Sequence, residues 1–226
     1  MKTLNTYIIE KLKVYKSDNK VSKSIFYTLF PKTKAELKQM IEDEISKNGN
    51  KCSLNHIDVS EITNMTGLFF KSNFNGDISN WDVSNVTNMD SMFSYSKFNG
   101  DISGWDVSSA INMSYMFSYS NFNGDISEWD VRNVKNMNGM FEKSKFNGDI
   151  SNWNVSNVID MKYMFYSSAF NGDISNWDVS SVQDMSRMFN DSKFNGDISN
   201  WDVSSVTDMT RMFNRSPLEN NPPEWY

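Results

Sequence analysis

A chain of 226 residues, 38% of them hydrophobic, is long enough for one large domain or for a small domain plus an array. No run approaches the roughly 18 apolar residues of a membrane-spanning helix, and a single cysteine, Cys52, excludes an internal disulfide framework. The net charge of −6 divides into +4 over residues 1–49 and −10 over 50–226; an acidic array without a basic stripe argues against nucleic acid.

The opening "MKTLNTYIIEKLKVYK" carries charges throughout and no apolar core, so it is not a signal peptide and synthesis in the cytosol is expected. Leu4, Ile8 and Leu12 suggest a first amphipathic helix, and "SIFYTLF" a strand. In "FPKTKAELKQMIEDEISKNG" a helix is predicted over 33–47, with Thr33 as N-cap and Glu36 completing a capping box. Leu37, Met40, Ile41 and Ile45 form its apolar stripe, and Gly49 suits the C-terminal stop. Residues 1–49 are therefore expected to be a small helical cap, or an attachment segment, over the open face of the array that begins at residue 50.

From Phe74 onward "FNGDISNWDVSNVTNMDSMF" recurs with a period of 24 residues, restarting at Phe98, Phe122, Phe146, Phe170 and Phe194. Counting Phe74 as position 1, apolar residues recur at positions 1, 5, 8, 10, 13, 16, 19 and 20, with Ala110 the smallest at position 13. A degenerate copy precedes them, with Leu54, Ile57, Val59, Ile62, Met65, Leu68 and Phe69 on the same slots. A truncated copy ends the chain, with Trp225 at position 8. A fixed period in the twenties is the signature of a solenoid. A single copy buries too little to offset its chain entropy, so copies must stack. The boundaries are then 50–217 for seven repeats and 218–226 for a terminal capping fragment, whose Pro222 and Pro223 block edge pairing.

Within a copy, Trp and Val at 8 and 10 alternate around Asp at 9, as a short strand does. Positions 13, 16, 19 and 20 have the spacing of a helical face, and Asn-Gly at 2–3 marks a turn. The fold class predicted is an α/β solenoid of the leucine-rich-repeat type, with strand–short-helix repeats and strands stacked about 4.8 Å apart. "FNGDISNWDVSNVTNMDSMF" resembles the repeat of BspA-like surface proteins, found in mycoplasma lipoproteins and gut bacteria and grouped with leucine-rich repeats. That resemblance covers roughly 50–226, and implies a solenoid with a binding or adhesion role and no catalytic residues.

Candidate chemistry begins with the aspartates. Position 4 is Asp77, Asp101, Asp125, Asp149, Asp173 and Asp197; position 9 is Asp58, Asp82, Asp106, Asp130, Asn154, Asp178 and Asp202. Rows of carboxylates could ligate calcium, or each could accept backbone N–H groups in a local turn. Asn154, and the exchange of Asn and Asp at position 15, favour the acceptor role, so no metal and no cofactor are expected. Thirteen methionines at positions 16 and 19 read as core, and the Trp column as buried. Cys52 and His56 lack the further groups that nucleophilic catalysis needs, and no phosphate loop or nucleophile elbow occurs. The expectation is no enzyme.

The freely varying positions 18, 21 and 22 hold Tyr95, Tyr115, Tyr119, Tyr163, Tyr166, Arg187 and Arg211, residue types that commonly anchor interfaces. These are the candidate partner-binding residues. A second candidate surface is the polar strip around Asp82, Asp106, Asp130, Asp178 and Asp202. The expected role is non-enzymatic recognition or adhesion toward a protein or glycan partner. It would be borne on a bacterial surface or a phage particle, or, in the alternative, act as an intracellular scaffold that sequesters one protein.

Overall fold

The structure, a computed structural model, describes residues 27–226. The amphipathic stretch at Leu4–Leu12 and the first three residues of "SIFYTLF" lie outside the described residues. What remains of that segment lies along the first copy of the repeat. Thr28 N–H donates to the His56 carbonyl at 2.9 Å, and Asp58 N–H donates to the Leu29 carbonyl at 2.9 Å. This is a single parallel bridge between Leu29 and Ile57.

Helix α1 runs Lys34–Asn48. Thr33 Oγ1 accepts from the Glu36 N–H at 3.2 Å, while the Glu36 carboxylate accepts from the Lys32 N–H at 2.7 Å. The reciprocal bond of the capping box is thus displaced by one residue beyond the N-cap. Gly49, at φ 80°, closes the helix by donating to the Ile45 carbonyl. Leu37 and Ile41 are buried against the first repeat. Lys34 Nζ reaches the Thr66 carbonyl at 3.1 Å, and Lys32 pairs with Glu61 at 2.6 Å.

The strand and short helix expected inside each repeat do not form. Among the described residues of the array there is no strand and no α-helix; its one helical piece is the 3-10 turn Pro217–Glu219. Each repeat is instead a succession of tight turns closed by bonds from residue i+3 to residue i. In the copy that begins at Phe74, Trp81 donates to Ile78, Val86 to Val83, Met92 to Met89, Ser94 to Ser91 and Ser96 to Phe93, at 2.9–3.1 Å. Three of these turns come after a side-chain acceptor. Asp77 Oδ1 takes the Ser79 N–H at 3.0 Å, Asp82 Oδ1 that of Ser84 at 3.3 Å, and Asn88 Oδ1 that of Asp90 at 3.0 Å. The repeat therefore writes one phrase three times: Asx, apolar, two polar residues, apolar. Such a side chain satisfies backbone donors locally and so competes with a strand ladder. That is why positions 8–10 do not pair as a strand.

A second device excludes a helix at positions 16–23. Residues at 18 and 22 adopt the left-handed conformation in every copy, for example Ser91 and Tyr95, both at φ 56°. With the backbone reversed at every fourth residue, successive N–H groups point in opposite directions. Odd positions bond within the turn and even positions bond outward. Met89, Ser91, Phe93 and Tyr95 donate to the carbonyls of Asn112, Ser114, Met116 and Ser118 in the next copy, at 2.8–2.9 Å. Other groups donate backward to the preceding copy: Thr87 N–H to the Thr63 carbonyl, Asn99 N–H to Asn75 Oδ1 and Asn85 Nδ2 to the Ser60 carbonyl. Isolated parallel bridges at position 15, from Asn64–Asn88 to Asp184–Asp208, mark the same 24-residue register.

The interior is a set of columns. Trp81, Trp105, Trp129, Trp153, Trp177 and Trp201 are each 3–4% exposed, and the rings of Trp81, Trp105 and Trp129 lie nearly parallel at 6.5 Å steps. Every indole N–H finds a partner in the copy before it, as Trp105 Nε1 does with the Ile78 carbonyl at 3.2 Å. A buried Trp without such a partner would leave a polar atom unsatisfied. Phe at positions 20 and 1 stacks closely, 4.4 Å for Phe93 and Phe98. The Phe at position 1 folds its ring over the glycine at position 3, so that a Cβ at Gly100 would lie 2.9 Å from the Phe98 ring.

The far end of the array is less complete. Met209, Arg211 and Phe213, at positions 16, 18 and 20, have no hydrogen-bond partner for their N–H groups among the described residues. Val203, Val206 and Met209 are only partly buried. Trp225 donates to the Ile198 carbonyl at 2.9 Å, and Tyr226 packs edge-on over Phe213 at 4.8 Å.

A left-handed residue other than glycine costs about 1–2 kcal/mol, part of which glycine's larger unfolded-state entropy offsets. Ser91→Gly is therefore expected to raise stability by about 0.5–1 kcal/mol. Ser91→Val, β-branched at the same φ, is expected to lower it by more than about 1 kcal/mol. Urea denaturation midpoints of the two variants check this; shifts of the same sign would refute the left-handed assignment.

Candidate functional site

Each of the varying side chains at positions 18 and 22 sits on a left-handed residue. In every copy but the last their backbone N–H groups are held by the next copy, so the conformation is fixed by the stack through the backbone and not through the side chain. Strain of this kind is tolerated where the surrounding structure enforces it. No β-branched residue and no proline occupies either position in any copy, which is the sequence trace of the constraint.

Position 22 reads Lys71, Tyr95, Tyr119, Lys143, Ser167, Asp191 and Arg215 along the stack. Tyr95 and Tyr119 are stacked with centroids 4.2 Å apart and are 46% and 36% exposed. Phe70, at position 21 and 47% exposed, meets Tyr95 edge-on at 6.0 Å. Lysines flank the rings. Lys71 Nζ lies 5.1 Å from the Phe70 centroid and 5.7 Å from that of Tyr95, and Lys143 Nζ lies 4.9 Å from Tyr119. The bond to Tyr119 also raises the Lys143 pKa, which keeps the ammonium charged.

The remaining candidates gather further along. Tyr163 and Tyr166 meet edge-on at 5.6 Å, and the Arg187 guanidinium lies 5.4 Å from the Tyr163 centroid while donating to its hydroxyl. Together with Asn190, Arg211, Asn214 and Arg215 they line one open groove. Tyr115 is set apart from both groups: it is half-buried, and its ring lies so close over Gly139 that a Cβ there would collide with it. Burial pushes its phenol pKa up, with Glu142 contributing. The structure thus forms one belt along positions 18, 21 and 22. Its Phe70, Lys71, Lys143 and Arg215 are not among the residues that the sequence singles out, although three of them sit at position 22.

The strip aspartates are occupied by the backbone. Asp82, Asp106, Asp130, Asp178 and Asp202 each accept the N–H two residues on, at 3.0–3.3 Å, and Asn154 does the same for Ser156 at 3.2 Å. At position 4 the N–H and hydroxyl of the serine two residues on hold the carboxyls of Asp125, Asp149, Asp173 and Asp197 below the ordinary aspartate range. No group of three or more His, Cys, Asp or Glu side chains is arranged to hold a metal among the described residues. His56 Nε2 lies 3.6 Å from Glu44, and burial pushes the Cys52 thiol pKa up, which disfavours the thiolate.

Asp160 is the exception among the turn acceptors. It accepts from the Lys162 N–H at 2.9 Å, but burial, with Asp184 adding to it, raises its pKa above the ordinary aspartate value. A carboxyl raised in the folded state subtracts stability above its folded pKa, and the penalty fades as pH falls through that value. Four equivalent slots hold Asn64, Asn88, Asn112 and Asn136 in the same turn. Asp160→Asn is therefore expected to raise the melting temperature at neutral pH, with a gain that vanishes once the wild-type carboxyl is protonated. Melting curves over a pH series test this; a loss at neutral pH would contradict it. The position-4 aspartates act oppositely: their contribution is present above the ordinary aspartate pKa and is lost as pH falls through the lowered folded value.

No helix among the described residues is long and apolar enough to cross a membrane. Neither a curated protein nor a solved structure matches the chain. One family model matches it twice, over residues 35–145 and 118–225, and the two matches together cover the whole array of 50–217. The match supports a mycoplasma-type repeat family. The chain belongs to the family described as Mycoplasma protein of unknown function, DUF285.

Proposed function

We propose that residues 50–217 act as a non-enzymatic solenoid that presents the belt at positions 18, 21 and 22 to a protein or glycan partner. The observation that carries this reading is the placement of exposed Tyr, Lys and Arg on left-handed residues of the stack, such as Tyr95 and Tyr119. Rings and cations held on a rigid frame lose little entropy when a partner is bound, and Tyr and Arg are the residue types most enriched at binding hot spots. The copies differ most where the belt lies and least in the turns and the core. That pattern suits an array whose scaffold is repeated and whose surface is specified copy by copy.

The strip of turn aspartates supports the scaffold and is the weaker candidate surface, because each carboxylate already serves a backbone donor. Nothing in the belt pairs a nucleophile with a base and an orienting group, so the reading is binding and not catalysis. Adhesion of the BspA-like kind, at a bacterial surface or on a phage particle, is the finer form of this proposal.

Recovery of partners from host lysate and envelope fractions tests it. Serine is chosen as the replacement because Ser91 and Ser167 already occupy these positions. The variant Tyr95→Ser/Tyr119→Ser/Arg211→Ser is expected to lower recovery by about tenfold or more. Asp178→Asn/Asp202→Asn, which copies the acceptor already present at Asn154, is expected to leave recovery unchanged. The reverse pattern would move the site to the strip. Protein found only in the cytosol of its producing cell would refute the adhesion form and favour sequestration of an intracellular partner.

A further inference from the structure

The chain holds four arginines, and three of them, Arg187, Arg211 and Arg215, line one groove with Tyr163, Tyr166, Asn190 and Asn214. This occurs in an array whose net charge is −10. Resting on the proposed binding belt, we propose that this groove binds an acidic sugar, with the oxyanion of a carboxylate or sulfate on the guanidinium groups.

Geometry supports the assignment at four points. Arg187 is held in place before any ligand arrives, because its guanidinium covers the Tyr163 ring and donates to the Tyr163 hydroxyl. Arg211 stands at the same position one copy on, 24 residues later, with the same left-handed backbone (φ 55° and 58°). The two side chains therefore start from equivalent positions in adjacent copies, and both line the groove. Arg215 is pulled toward the groove by Asp191 at 3.1 Å, a partner that is itself partly exposed. The floor is fixed by Asn190, 7% exposed, whose Nδ2 donates to the Arg211 carbonyl at 3.3 Å and reaches Asn214 Oδ1 at 3.5 Å.

The residue types decide the ligand class. Arginine presents a planar fork that matches an oxyanion, which lysine does not. The Arg211 guanidinium has no ion-pair partner among the described residues, so a ligand oxyanion need not displace a carboxylate from it. The groove wall contains two tyrosine rings and two carboxamides but no aliphatic side chain, which suits the faces and hydroxyls of a sugar better than the apolar anchors of a peptide. The array around the groove is acidic, so a long polyanion such as nucleic acid would find only a local site.

Binding of a heparin-type sulfated hexasaccharide and of a carboxylated, unsulfated uronic-acid hexasaccharide to the whole chain, measured by calorimetry at low and moderate salt, tests the proposal. Wild type is expected to bind at least one of them, more weakly as salt rises; which one identifies the oxyanion. Arg211→Ser is expected to weaken binding by about fivefold or more, and Arg187→Lys/Arg211→Lys/Arg215→Lys to weaken it although charge is kept. Arg132→Ser, which removes a cation already paired with Asp130, is expected to leave binding within about twofold. No binding of either sugar by the folded wild type, equal losses in the Arg211 and Arg132 variants, or equal binding of a hexaglutamate peptide would each overturn it. A partner that is lost on Tyr95→Ser/Tyr119→Ser but is indifferent to all three arginines would keep the belt and remove only this groove.

Discussion

The array depends on one set of hydrogen bonds: the N–H groups at positions 16, 18, 20 and 22 of each copy, given to the carbonyls at 15, 17, 19 and 21 of the next. A strand also alternates its donors but sends the two sets to neighbours on opposite sides, whereas here the odd set closes turns within the same copy. A helix directs all its N–H groups along its own axis, and a strand edge presents extended backbone. The left-handed residues at 18 and 22 produce the alternation. Each is costly alone and, in every copy but the last, is held with its own N–H bonded to the next copy; in the last copy the Arg215 N–H is taken by Glu219 Oε2 instead. Strain and stacking therefore enforce each other, and a single copy outside the stack would have no reason to keep either.

The side chains are arranged by that frame. Asx residues at 4, 9 and 15 take the donors that the ladder leaves behind, with the Ser at 23 doing so through its hydroxyl. The apolar residues three apart then fall on the inside of each turn, and equivalent residues stack in columns between copies. Trp at 8 does more than fill space, since its indole N–H becomes a second donor to the Ile carbonyl that closes the first turn of the preceding copy. The surface is what remains: positions at which the backbone is dictated and the side chain is not.

The buried set was legible in the sequence because identical slots repeat, and Trp, Met, Val and Phe at those slots are almost wholly buried in the inner copies. The local structure was not. A spacing of three between Ile78 and Trp81, Val83 and Val86, or Met89 and Met92 is shared by helical and turn geometries, and Trp–Asp–Val alternates as a strand would. The cue that separates them is the Asx residue before each pair, which diverts a backbone donor; in the sequence it weighs against calcium binding without revealing that it also displaces strand and helix. The belt was legible in part. Variation at positions 18 and 22 pointed to Tyr95, Tyr119 and Arg187, but only backbone geometry explains why those positions exclude β-branched residues. Tyr115 shows the limit of variation as a guide, because the glycine one copy on draws its ring inward.

Amide hydrogen exchange, resolved residue by residue, tests the alternating ladder most directly. Protection is expected at the even positions of the inner copies, for example Met113, Tyr115, Phe117 and Tyr119, with fast exchange at Met209, Arg211 and Phe213, whose N–H groups face no further copy. Protection of Met209, Arg211 and Phe213 equal to that of their counterparts in the inner copies would instead indicate helices that carry their own bonds, and would contradict the account.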